Sequence, residues 1–240
     1  LQLRMTTILG ATLVDYNLKR FTAITHINLY GNDLTSPKLF MDSLPSHNLV
    51  YLDIGGSRIT NLDGKPLTKF HNLVTLALGG RGSRNKIQSF EPGFFEGLDS
   101  LKYLDLRNTG LGEYNENIFR NSLPSIVSIN FGDARGRKRD TDTTTTFRTN
   151  TFVGHPSLKA LSFEAVENVQ YEMGCFNGLS ELTFLKVEIS MLHTPKTWIP
   201  FNPELFAPLI NLQKLEIFNS FAENRNKSID ANVDKIVSET

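Results

Sequence analysis

Residues 95–106 read Phe-Glu-Gly-Leu-Asp-Ser-Leu-Lys-Tyr-Leu-Asp-Leu, so that one phenylalanine is followed by four leucines at intervals of three, three, three and two residues. The same spacing of apolar residues returns at 176–187 and at 206–217. Weaker copies fill the rest of the chain, and their central apolar residues are Leu1, Ile27, Leu52, Leu76, Leu104, Ile129, Leu161, Leu185 and Leu215. The intervals between these positions run from 24 to 32 residues. Most of them suit a repeat made of one strand and one return segment, which predicts a solenoid.

The arrangement Phe-x-x-Leu-x-x-Leu-x-x-Leu-x-Leu resembles the typical-type leucine-rich repeats of animal extracellular receptors, including Toll-like receptor ectodomains. In each copy the last apolar residues alternate with polar ones, as in a strand with one buried face. We expect an α/β fold, a right-handed leucine-rich-repeat solenoid with a parallel sheet on the concave face and an irregular or short-helical convex side. Residues 1–221 are expected to form about nine repeats, and residues 222–240 a polar tail, the start of a further repeat or a cap.

The resemblance implies a non-catalytic ligand- or protein-binding ectodomain of a receptor, extracellular or at the cell surface, with a role in innate immunity. The chain begins inside a repeat and lacks the cysteine-rich caps that family members usually carry, so we expect a fragment of a longer protein. Two other functions fit the same pattern. One is an intracellular scaffold or sensor, which would place the chain in the cytoplasm, and the other is an extracellular adhesion or matrix protein.

Two sets of inward positions are expected to hold the repeats together. The phenylalanines should stack as a spine on the convex side, and they are Phe95, Phe119, Phe152, Phe176 and Phe206. A small hydrogen-bonding residue three positions after the strand can satisfy backbone groups of the following loop. That slot holds Asn32, Ser57, Thr109, Ser190 and Ser220, whereas Ala134 and Val166 depart from it.

The outward positions of the strands carry the candidate binding residues on the concave face. The first choices for ligand binding are His26, Tyr30, Tyr51, Asp53, Tyr103, Asp105 and Arg107. Exposed aromatic side chains on a rigid strand make good interface anchors, because they bury much area with few rotatable bonds. Scattered tyrosines are also ordinary on sheet surfaces. Gly55-Gly56 and Gly79-Gly80 predict either a shallow pocket or strand ends that fit tight turns.

Two long loops add basic side chains to the same edge of the solenoid. The loop 79–86 carries Arg81, Arg84 and Lys86, and the loop 132–150 carries Arg135, Arg137, Lys138 and Arg139. Together they would form a basic rim for phosphate, sulfate or an acidic protein surface, unless both loops are merely solvated. The expected partner is a protein or an extended polyanionic ligand on the concave face, and the fold also allows a homodimer.

The sequence favours no enzyme chemistry and implies no cofactor. The 25 basic and 25 acidic residues balance, so no overall field drives the chain to nucleic acid or membrane. The five histidines are not spaced for a metal site, and the motifs of phosphate loops and nucleophile elbows do not occur. No apolar run is long enough for a membrane helix. Asn226 begins the one glycosylation sequon, and Cys175 is expected to be a buried apolar residue.

Overall fold

The structure is a computed structural model. It describes residues 15, 17–34, 37–60, 62, 64–80, 85–87, 89–131, 145–163, 169–189 and 202–219. Leu1 and the predicted tail, 222–240, lie outside these described residues, and the expected extent of nine repeats stays a prediction.

The described chain contains strands in every repeat from the second onward. In chain order they are β1 (His26–Asn28), β2 (Tyr51–Asp53), β3 (Thr75–Ala77), β4 (Tyr103–Asp105), β5 (Glu113–Tyr114), β6 (Ser128–Asn130), β7 (Thr145–Phe147), β8 (Ala160–Ser162), β9 (Val169–Tyr171), β10 (Phe184–Ile189) and β11 (Lys214–Asn219). Two short α-helices, Pro37–Ser43 and Glu116–Phe119, and two 3₁₀ turns, Leu18–Arg20 and Pro203–Phe206, complete the regular elements.

Eight strands form one parallel sheet in the order β1-β2-β3-β4-β6-β8-β10-β11. The central apolar residues of the repeats lie directly opposite one another, beginning with Ile27 beside Leu52 and ending with Leu185 beside Leu215. Because each strand is parallel to the one before it, a connection must run back along a face of the sheet to the start of the next strand. The predicted leucine-rich-repeat solenoid is thus confirmed, with the register that the repeat alignment predicts.

A backbone carbonyl at the entry of each strand fixes this register. The carbonyl oxygen of Thr25 accepts hydrogen bonds from the N–H groups of Val50 and Tyr51, at 2.7 and 3.0 Å. The carbonyl of Val50 does the same for Val74 and Thr75, and the pattern continues at each step as far as Thr183. Each repeat therefore has its position relative to the next one set by two hydrogen bonds to a single oxygen.

The phenylalanine spine is confirmed. The ring centroids of Phe95 and Phe119 are 5.5 Å apart, and those of Phe119 and Phe152 are 6.2 Å apart. Phe176 lies 6.4 Å from Phe152 and 5.8 Å from Phe206. All four neighbouring pairs are within 29° of parallel, so five successive repeats share one continuous column of stacked rings.

The polar slot after the strand is also confirmed where it is described. The Asn32 amide donates to the carbonyl of Leu29 at 2.8 Å, and the Thr109 hydroxyl donates to the carbonyl of Leu106 at 3.0 Å. The Ser57 hydroxyl lies 3.2 Å from the Leu29 carbonyl of the previous repeat. The other four slot residues, Ser190, Ser220, Ala134 and Val166, lie outside the described part of the chain.

A second parallel sheet, β5-β7-β9, joins three return segments. Its register places Tyr114 beside Phe147 and Phe147 beside Tyr171, and these rings stack with centroids 4.7 and 5.8 Å apart. This sheet is not predicted from the sequence, although each of the three residues lies five positions before a spine phenylalanine, namely Phe119, Phe152 and Phe176. It also corrects the loop predicted at 132–150, since Thr145–Phe147 is a strand.

Truncating the centre of the spine should lower the free energy of unfolding strongly. Phe119→Ala removes a fully buried ring between two stacked neighbours, and we expect a loss of about 3–5 kcal/mol in urea denaturation. The control is Phe21→Ala, because Phe21 is 46% exposed and should change stability by about 0.5 kcal/mol or less. Equal effects of the two substitutions would contradict a spine that stabilises the array.

An arginine bridges two strands on the outward side of the second sheet. The Arg148 guanidinium lies 3.0 Å from the Glu113 carboxylate and also donates to Glu172. Hydrogen bonds from Arg148 hold the pKa of the Glu113 carboxyl, and likewise that of Glu172, below the usual value of 4.5. All three groups are solvent-accessible, so the bridge aligns the strands at a modest gain in stability.

The contribution of this bridge should disappear in acid. A carboxyl whose pKa is lower in the folded than in the unfolded chain stabilises the fold above its unfolded pKa, and the gain fades as pH falls through the folded value. Arg148→Met should therefore lower the melting temperature at pH 7, whereas the difference from wild type should shrink steadily as pH falls below the ordinary carboxyl pKa of 4.5. Arg120→Met removes the same charge from an exposed site and serves as the control. A difference that persists in acid would show that the side chain acts through packing instead.

Candidate ligand-binding face

One row of outward side chains crosses the first four strands of the main sheet. The register places His26, Tyr51, Thr75 and Tyr103 side by side. The rings of His26 and Tyr51 stack with centroids 5.8 Å apart and planes at 17°. Tyr103 is 50% exposed, which is unusual for so large an aromatic side chain in this protein. The structure therefore places three of the predicted binding residues, His26, Tyr51 and Tyr103, in one row across neighbouring strands.

A second row of side chains lies two residues further along each strand and contains the predicted carboxylates Asp53 and Asp105. Hydrogen bonds hold Asp53 in place within this row. Asp53 is only 5% exposed, and its Oδ2 accepts the Asn28 amide at 3.1 Å while its Oδ1 accepts the Gly55 N–H at 3.0 Å. The Tyr51 hydroxyl reaches the same carboxylate at 3.5 Å. Asp53 is thus placed to fix its neighbours on the face, and a ligand would meet the Tyr51 ring before it met this carboxylate.

Asp105, the last residue of β4, forms an ion pair with Arg107, two residues further along the chain. The Arg107 Nε lies 3.0 Å from both carboxylate oxygens, and Nη2 lies 2.6 Å from Oδ2. The Arg107 N–H also donates to Oδ1 at 2.9 Å. This forked geometry is the strong form of a charge-assisted hydrogen bond. Much of the guanidinium charge is therefore already neutralised by the carboxylate two residues before it.

The glycines beyond β2 and β3 allow the repeats to approach closely. A Cβ on Gly55 would lie 1.9 Å from the Gly79 carbonyl oxygen, and a Cβ on Gly79 would lie 1.9 Å from the Arg107 oxygen. The Tyr30 ring covers this region, with atoms 3.1 Å from where the Cβ atoms of Gly55 and Gly80 would stand. Of the two interpretations of these glycines, the structure supports strand ends that fit tight turns, because Gly56 and Gly80 have φ angles of 67° and 131°. The Tyr30 ring fills the space above them.

The end of the first basic loop is anchored by a residue that the repeat pattern does not single out. The Asn85 amide donates to the carbonyls of Leu78 and Ile54 at 2.6 and 3.1 Å, and its oxygen accepts the Ile59 N–H at 3.0 Å. Asn85 thus fills the polar slot of the fourth repeat, displaced by the insertion, and the loop length hides that role in the sequence. The side chain of its neighbour Lys86 is exposed.

The remaining basic candidates, Arg81, Arg84, Arg135, Arg137, Lys138 and Arg139, lie outside the described residues, as does the sequon at Asn226.

On β10 and β11, at the other end of the main sheet, the lysine side chains also lie close to a carboxylate. The Lys214 ammonium lies 5.4 Å from the centre of the Phe184 ring and 2.6 Å from the Glu216 carboxylate. Lys186 lies 3.9 Å from the same carboxylate. Together with Arg107, each of these three cations thus has a carboxylate within 4 Å.

Within the described part of the chain, no cluster of three or more metal-ligating side chains could hold a metal ion. A separate search of the same residues shows no helix that is both long and apolar enough to span a membrane. Cys175 is fully buried, and burial raises the pKa of its thiol to about 12. The prediction of a buried, apolar cysteine is confirmed.

The thiol should be unreactive in the folded protein. At about pH 8 almost none of Cys175 is in the thiolate form that reacts with disulfide reagents, and the side chain is covered. We expect negligible reaction with Ellman's reagent in buffer and one thiol per chain in denaturing urea, which is the internal control. Rapid reaction of the folded protein would contradict the buried position.

The comparisons with known proteins agree with this architecture. The family model for the leucine rich repeat matches residues 47–111. The fold of the chain is that of a leucine-rich-repeat solenoid. Its fold is similar to that of TLR13 in a complex with ssRNA13, at 23% identity and a TM-score of 0.61, over 82% of this chain. It is similar to Toll from Drosophila in a complex with Spatzle, at 14% identity and a TM-score of 0.61, over 84% of this chain.

The chain spans 25% of the length of each of those two solved chains. Its sequence matches no curated protein. The resemblance to Toll-like receptor ectodomains is therefore confirmed as a likeness of fold.

Proposed function

We propose that this chain is part of the extracellular, ligand-binding ectodomain of a leucine-rich-repeat receptor and that it acts by binding, without catalysis. The observation that carries the proposal is the aromatic row of His26, Tyr51 and Tyr103 on the concave face. These side chains stand on a sheet whose strands are locked together, so little conformational entropy is lost when a partner covers them. The likeness to Toll and TLR13, both determined with a bound ligand, supports an ectodomain role.

A protein is the ligand that this face favours. Binding to a phosphate backbone requires lysine and arginine side chains that can release counterions. On the described part of the sheet Arg107, Lys186 and Lys214 already lie beside carboxylates, so a polyanion would have to compete with these internal pairs. Half-exposed aromatic rings beside paired charges suit the centre of a protein–protein interface.

A polyanionic ligand is the second candidate, and it would use the basic loops. The observation in its favour is the composition of residues 79–86 and 132–150, with the Lys86 side chain exposed. TLR13, which has a similar fold, was determined with single-stranded RNA. The two candidates differ in salt dependence, because phosphate or sulfate contacts weaken steeply as salt rises.

The test is a binding assay with the immobilised chain and three probes: an array of secreted proteins, a single-stranded RNA oligonucleotide and heparin. We expect a protein probe to bind, and Tyr51→Ala and Tyr103→Ala each to weaken that binding by more than about 1 kcal/mol, since each removes an aromatic anchor. Gln170→Ala, on an exposed position of the second sheet, is the matched control and should leave affinity unchanged.

Wild-type affinity in both tyrosine variants would remove the concave face as the binding surface. Binding of RNA or heparin alone, with a steep loss between low and physiological salt, would move the function to the basic loops.

A further inference from the structure

An exposed lysine lies at the start of β4, beside the exposed ring of Tyr103. Lys102 immediately precedes this tyrosine in the chain. The Lys102 N–H donates to the carbonyl of Val74, and the Lys102 carbonyl accepts the N–H of Val127, each at 2.9 Å. Hydrogen bonds to the repeats on both sides therefore hold the backbone from which the ammonium group extends.

The side chains on both sides of Lys102 are apolar. Backbone hydrogen bonds join Lys102 to Val74 and Val127, and they join Val74 in turn to Val50. Each of the three valines is half-buried, so each presents part of its side chain to solvent. We call these four residues, Val50, Val74, Lys102 and Val127, the entry strip. The strip runs alongside the first row of outward side chains, because each member comes one residue before a strand of the main sheet.

Lys102 differs from the other cations on or within two residues of the main-sheet strands. Among those that the structure describes, the side chains with a carboxylate within 4 Å are Arg107, Lys159, Lys186 and Lys214. In the same part of the chain, the Lys102 ammonium has no ion pair and no hydrogen bond. Its charge is therefore uncompensated by the described residues.

The acidic residues closest to Lys102 in the sequence are engaged elsewhere. Asp99, three residues before it, lies 2.8 Å from the ring nitrogen Nδ1 of His71. Asp105, three residues after it, accepts the forked hydrogen bonds of Arg107. A counter-charge for Lys102 would thus have to come from a ligand.

A carboxylate on a protein is the group that fits this lysine. A protein that covered the entry strip would remove the ammonium from water together with the valines, and a buried cation without a counter-charge is costly. A partner with an acidic side chain at this point avoids that cost, because opposite charges across an interface select the partner. A polyanion fits less well, since it binds through several cations along its length and the neighbours of Lys102 in the strip are valines.

We propose that the protein ligand of the concave face places an aspartate or glutamate side chain against Lys102, within an apolar segment that packs on the entry strip and on Tyr103. The inference rests on the proposed function and specifies the chemistry of the partner. The Tyr103 hydroxyl makes no hydrogen bond among the described residues, so it is a second donor for the same segment.

The probe is a displayed library of random peptides, selected in parallel on the immobilised wild-type chain and on Lys102→Glu. We expect the clones that bind wild type and fail to bind Tyr103→Ala to be enriched in Asp and Glu beside apolar residues. The clones selected on Lys102→Glu should carry Lys or Arg in their place, because reversing the charge of one partner reverses the preferred charge of the other.

A double-mutant cycle then locates the contact. A synthetic peptide of the best wild-type clone should bind Lys102→Met about tenfold more weakly than wild type. The same peptide with its acidic residue changed to the amide should lose a similar factor on wild type and nothing further on Lys102→Met.

Arg120→Glu is the matched control, because Arg120 is also an exposed cation but follows the spine residue Phe119 on the convex side. It should leave the selected sequences unchanged. If Lys102→Glu has a lower melting temperature than wild type, the selection is repeated on Lys102→Met, which should end the enrichment of acidic residues.

Two results would overturn the inference alone. One is a set of clones that depend on Tyr103 and show the same charge preference on wild type, Lys102→Glu and Lys102→Met, which leaves the proposed function in place. The other is a single-stranded RNA oligonucleotide that binds wild type and not Lys102→Glu while no peptide binds, which would assign the lysine to a polyanion. Clones that bind Tyr51→Ala and Tyr103→Ala as well as wild type would instead remove the concave face, and this inference with it.

Discussion

The structure depends on one backbone oxygen per repeat. Each carbonyl that precedes a strand of the main sheet accepts two N–H groups from the next repeat, as Thr25 does for Val50 and Tyr51. This arrangement leaves no freedom for one strand to slip past its neighbour, and a slip of a single residue would turn every apolar side chain outward. Burial of the leucines and alignment of the outward rows are therefore two results of the same constraint.

Aromatic packing extends this order to the other side of the solenoid. The spine from Phe95 to Phe206 stacks one ring per repeat, and the second sheet adds a parallel column of Tyr114, Phe147 and Tyr171. Phe131 and Phe163, which replace leucine at the end of two strands, stack with centroids 5.2 Å apart and fill the space between the columns. Phe131, Phe163 and the rings of both columns pack into one hydrophobic core.

The sequence predicts this fold well because spacing alone encodes it. The alignment of central apolar residues predicts the strand pairing from Ile27 to Leu215, and the phenylalanine offset predicts the spine. The second sheet is not predicted, although Tyr114, Phe147 and Tyr171 each lie five residues before a spine phenylalanine, because this offset marks an aromatic position and does not reveal that its backbone forms a strand. The sequence predicts which residues lie on the concave face, but it does not predict their exposure or their hydrogen-bond partners. Whether a carboxylate such as Asp53 is open or buried depends on partners in neighbouring repeats, and the pairing of Arg107 with Asp105 depends on side-chain conformation.

The glycines at 55 and 79 have a consequence for how this face can change over time. Any larger residue at either position would collide with a backbone oxygen of the next repeat, so these two sites are closed to substitution. Outward positions such as Thr75 and Tyr103 meet no such obstacle, because their side chains stand above the sheet. Substitutions that change this surface are therefore expected at the outward positions of the strands and not at these two glycines. A lineage that exchanged residues there would acquire new specificities one repeat at a time, while the scaffold beneath them stayed the same.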